Sequence, residues 1–74
     1  MKITYDKEVD CAYIEFISEG VAEHFINHIS PRDEFDETFE MNLNIAADGK
    51  LMGIEIVFAS FAFTQEMLDS FQPL

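Results

Sequence analysis

Cysteine is nearly missing: the 74 residues hold only Cys11. An internal disulfide is therefore impossible, and no CxxC or His/Cys cluster offers a structural zinc instead. Basic residues are scarce as well, four against 15 acids, for a formal net charge of −11. A chain so poor in Lys and Arg cannot displace many counterions from phosphates, which argues against nucleic-acid binding and against an anionic membrane surface. No apolar run is long enough to span a bilayer as a helix. The first residues, MKITYDKEVD, carry no long apolar stretch. With the lone thiol, that predicts no signal peptide and a reducing cytoplasm. GxSxG, P-loop and HExxH motifs are also lacking, so the sequence predicts no catalytic residue, no cofactor and no enzyme.

What is present is apolar and aromatic: 49% hydrophobic residues, eight of them Phe. That composition belongs to a globular chain, and the length to one domain over residues 1–74. A domain of this size buries only about 60% of its unfolded surface. Without a disulfide or a metal, its stability must come from tight packing or self-association.

KITYD at 2–6 and CAYIEFI at 11–17 read as strands around the polar turn DKEVD. Alternation puts Ala12, Ile14 and Phe16 on one face and Cys11, Tyr13, Glu15 and Ile17 on the other. After a turn at 18–20, VAEHFINHI at 21–29 reads as a third strand, with helix as the competing reading. In SPRDEFDETF at 30–39, Ser30 can cap and Pro31 can open a short helix that aligns Phe35 with Phe39; a structured or disordered acidic loop is the rival. EMNLNIAA at 40–47 and LMGIEIVF at 51–58 alternate on either side of Asp48-Gly49, a strong hairpin signal. Met41, Leu43 and Ile45 should face the core, as should Met52, Ile54, Ile56 and Phe58. Gly53 and Glu55 then fall on the wet face, where a neighbour such as Tyr13 could lie across the glycine. FTQEMLDSF at 63–71 reads as a helix capped by Thr64, with Phe63, Met67, Leu68 and Phe71 near one stripe and Pro73 ending it.

Tyr5-Asp6, Asp10-Cys11-Ala12-Tyr13-Ile14, the run from Asp48 and Gly49 through Gly53 and Glu55 to Ile56, and Ala59-Ser60 resemble the domain of unknown function 2283 family of small, mostly bacterial proteins. The resemblance implies a compact antiparallel β-meander with a C-terminal helical piece and no established activity. Members also look like antitoxin-type partners of small toxins in some contexts. Two departures stand out. The segment from His24 to Glu40 is longer than usual and acidic, and Asn44 and Ala46 stand where acids are common.

Several residues could carry chemistry. On a helix, His24 and His28 would share a face and could hold a metal with Glu15 or Glu55; on a strand they stand about 13 Å apart, and they are then surface histidines. Glu15 and Glu55 could share a proton if they face each other, or simply stay solvated. Acidic neighbours should raise the Cys11 pKa and leave it a small hydrophobe rather than a nucleophile. Asp33, Glu34, Asp36, Glu37 and Glu40, with Phe35 and Phe39 among them, suit a basic, partly apolar partner, unless both rings tuck into the chain's own core.

The expectation is thus an α+β domain: a five-stranded antiparallel β-meander with a C-terminal helix on one face and a possible short helix at 30–39. Its expected role is an acidic protein–protein interaction module, antitoxin-like, for a basic partner. The alternative is a homo-oligomeric structural protein joined through Ile17, Ile26 and Val57. A metal-binding or hydrolytic role ranks third.

Overall fold

The structure, a computed structural model, describes residues 1–16, 22–29 and 38–74, giving the backbone alone for 22–29. Its strands are β1 (Lys2–Asp6), β2 (Cys11–Glu15), β3 (Ala22–Ile29), β4 (Glu40–Ala46), β5 (Leu51–Val57) and β6 (Gln72–Pro73). A 3-10 turn at Ala59–Phe61 and one helix, α1 (Gln65–Ser70), lie between β5 and β6.

The described strands form one sheet in the order β3-β4-β5-β2-β1-β6. This corrects the expected five-stranded antiparallel meander on two counts. First, β2 pairs with β5 rather than with its successor β3, so the β1–β2 hairpin is sutured onto a separate β3–β4–β5 meander. Successive strands are neighbours only about two-thirds of the time, and here apolar matching decides the exception. The β2–β5 register sets Ala12 opposite Ile56 and Ile14 opposite Ile54, which makes the greasy face continuous. Second, the sheet is mixed, because β6 runs parallel to β1 through Thr4–Gln72 and Tyr5–Pro73. Pro73 does follow the helix end, but it also sits in an edge strand, where a missing N–H is tolerated. The possible helix at 30–39 falls mainly outside the described residues; Thr38 and Phe39 have no regular structure, and β4 begins at Glu40.

Two rows of side chains line the core face. Tyr5, Ala12, Ile56 and Met41 stand side by side, as do Ile3, Ile14, Ile54 and Leu43. Ala12, Ile56, Ala59 and Leu68 form the buried centre, with Phe39, Phe63 and Phe71 packed around it. The Phe63 and Phe71 rings meet edge to face, centroids 5.1 Å apart. Thr64 caps α1 by accepting a hydrogen bond from the Met67 N–H at 3.2 Å. The expected stripe needs one correction: Leu68 is buried, but Met67 is 45% exposed, because six residues give the helix only one inward turn. Phe58 is a second correction. It leaves strand geometry at φ 59°, and its ring is turned out rather than added to the core face.

Candidate functional site

The sheet face opposite α1 is polar and ordered by its own hydrogen bonds. Register brings Thr4, Tyr13, Glu55 and Asn42 into one row, Lys2, Glu15, Gly53 and Asn44 into a second, and Asp6, Cys11, Val57 and Glu40 into a third. Asn42 Nδ2 donates to Glu55 Oε1 at 2.9 Å, and Asn44 Nδ2 donates to the Tyr13 hydroxyl at 3.0 Å. Tyr13 lies over Gly53, as alternation suggested: a Cβ there would collide with the phenol ring and with the Ile14 carbonyl oxygen. Glu55 is half-buried on this face and not in the core. Glu15 and Glu55 are diagonal rather than opposed: Glu15 stands opposite Gly53, and Glu55 opposite Tyr13. Neither carboxylate faces the other directly, and Glu55 Oε1 instead accepts from Asn42.

A second cluster joins parts of the chain far apart in sequence. Asp10 ends the β1–β2 turn at φ 54°. One of its oxygens accepts from the Tyr5 hydroxyl at 2.7 Å and from the Ser60 N–H at 3.0 Å; the other accepts from Ser60 Oγ at 2.5 Å. The Asp10 carbonyl accepts from the Ala59 N–H at 2.9 Å. Burial pushes the Asp10 carboxyl up, but the hydrogen bonds from Ser60 and Tyr5 together outweigh it and leave the pKa below its ordinary value. The same bond, followed by burial and the Asp10 charge, raises the Tyr5 pKa. Sequence reasoning missed this link, although Tyr5, Asp10 and Ser60 all lie in the signature segments.

The other signature residues shape turns. Asp6 Oδ1 accepts from the Glu8 N–H, and Asp48 Oδ1 from the Lys50 N–H, each at 3.0 Å. Gly49 takes the positive φ, 86°, that the β4–β5 hairpin needs. Cys11 is half-buried with its thiol pKa raised, first by burial and then by Glu55, Asp10 and Asp6. Burial is the larger cause, and the first of the acids is Glu55 from the neighbouring strand rather than a sequence neighbour.

Of the acidic partner segment, Asp33, Glu34, Phe35, Asp36 and Glu37 lie outside the described residues. Phe39 packs against the core cluster, and Glu40 heads β4 opposite Val57. His24 and His28 lie on β3, so the helical spacing that would converge them is not present. Among the described residues, no three His, Cys, Asp or Glu side chains gather as a metal site. Of the residues proposed to join subunits, Ile17 is outside the described set, Ile26 is described by backbone alone, with β3 register pairing it with Leu43, and Val57 stays on the polar face. A cleft of about 260 Å³ between Lys7 and α1, floored by Leu68 and Phe71, falls below the roughly 300 Å³ of small-molecule pockets.

No curated protein and no solved structure matches the chain significantly. Residues 2–60, from the start of β1 to the serine that grips Asp10, match a sequence family, and the chain belongs to it: the proteins of unknown function designated DUF2283.

Proposed function

We propose that this chain is a small acidic interaction module that docks a basic protein partner on the polar face of its sheet. One observation carries the reading: among the described residues, Asp6, Glu15, Glu40 and Glu55 share that face with a single base, Lys2. The overall charge of −11 would steer a cationic partner toward it and speed encounter. The Asn42–Glu55 and Asn44–Tyr13 bonds hold two central side chains in place, so less freedom is lost on docking. Neutralising a small basic protein, in the manner of an antitoxin, is the form of activity that suits these features.

Co-purification with candidate basic partners over a salt series tests the proposal. Binding should be strongest at low ionic strength, fade as salt rises, and weaken in a Glu15→Gln/Glu55→Gln double variant. If no basic partner binds at low ionic strength, the reading is wrong.

A further inference from the structure

The alternation of β5 directs Phe58 to the core beside Ile54 and Ile56, yet the chain turns it out. Its backbone is left-handed, φ 59° and ψ 49°, a region that bulky L-residues avoid. Asp10, one residue before the Cys11–Val57 pair, is also left-handed at φ 54°. The Ala59 N–H to Asp10 carbonyl bond and the Asp10 carboxylate's grip on Ser60 tie Asp10 to the two residues that follow Phe58. The result is an outward aromatic pair: Phe58 and Phe61 are 42% and 51% exposed, with ring centroids 6.4 Å apart. Val9, immediately before Asp10, is 60% exposed. Scattered apolar side chains on a surface mean little, but here a strained corner is clamped so as to present them.

The charge around this corner identifies its occupant. Val57, the residue before Phe58, stands in the row that also carries Asp6 and Glu40. Glu8 and Asp10 flank Val9, with Lys7 the turn's one base. A second copy would bring the same acids, and another net charge of −11, to the contact. We infer that the Val9–Phe58–Phe61 corner is the apolar anchor of the docking surface, and that it takes a protein segment with a leucine or aromatic side chain flanked by Lys or Arg. This rests on the interaction reading above and adds where the partner is gripped.

The test titrates the isotope-labelled full chain, at low ionic strength, with two synthetic peptides of equal length and charge, one alternating Arg and Leu, the other Arg and Ser. Burial of leucine should make the first bind roughly tenfold tighter, with the largest chemical-shift changes at Val9, Phe58, Ser60 and Phe61. Phe58→Gly removes the ring and suits the left-handed backbone, so it should melt no lower than the parent yet lose the preference. Phe61→Ser should reduce the preference without touching the strained residue. Equal binding of both peptides, with shifts centred on Tyr13 and Glu55, overturns the corner and leaves the acidic-face reading intact. A leucine preference that survives in both variants also overturns it. If neither peptide binds, the interaction reading itself falls.

Discussion

A Cβ on residue 53 would lie 2.6 Å from Tyr13 Cζ and 2.7 Å from the Ile14 carbonyl oxygen. The ring could swing away, but the backbone carbonyl cannot without disturbing the β2–β5 ladder. Gly53→Ala should therefore destabilise the fold by about 1–3 kcal/mol in urea unfolding. Adding Tyr13→Ala should recover only part of that loss, because the carbonyl contact remains. Asp10 poses a different problem at the same scale. Its folded pKa lies below the ordinary 3.8, so its contribution is fully present above that value and drains away as pH falls through the folded one. Asp10→Asn should lower stability by roughly 1.5 kcal/mol at neutral pH, as expected for hydrogen bonds to a charged group. The gap between parent and variant should close below about pH 3.8, which denaturation at stepped pH would reveal. That Gly53 and Tyr13 share a face was legible from alternation, although their contact depends on the β2–β5 pairing. The Asp10–Ser60 bond was not, since 50 residues separate the partners and no periodicity connects them.

Elements were legible where a local rule fixes them. Alternation and the Asp-Gly turn locate β4 and β5, and Thr64 marks the start of α1. Pairing between distant strands follows no such rule. The β2–β5 contact depends on which apolar rows match across the sheet, and β6 on a tail returning along β1 after the helix. The helix stripe shows how length limits a periodic argument: six residues leave room for one deeply inward side chain, Leu68, and expose Met67. Leu68→Ala should cost about 2–5 kcal/mol, whereas Met67→Ala should stay within about 0.5 kcal/mol. Thr64→Ala should cost about 1 kcal/mol and selectively weaken hydrogen-exchange protection of the Met67 amide, whose bond to Thr64 Oγ1 it removes. Equal losses for Leu68→Ala and Met67→Ala would mean that α1 packs differently on the sheet.

At the scale of the whole molecule, charge and fold pull against each other. The acidic excess was plain in the composition, but its gathering of Asp6, Glu15, Glu40 and Glu55 on one face came from register. Glu15 and Glu55 are neighbours only because β2 lies beside β5, a pairing that the sequence did not disclose. A net charge of −11 on 74 residues opposes the compact state by self-repulsion while drawing cations from a distance. Salt screens both effects, so its two consequences must have opposite signs. Raising sodium chloride from about 10 to 150 mM shortens the Debye length from roughly 30 to 8 Å. The melting temperature of the free chain should rise over that range, and its affinity for a basic partner should fall. A calorimetric melt and a binding titration in the same buffers would measure the two together. A melting temperature that fell with salt would mean that attraction between unlike charges, not repulsion between acids, dominates the folded chain. That would remove the electrostatic basis for a cationic partner.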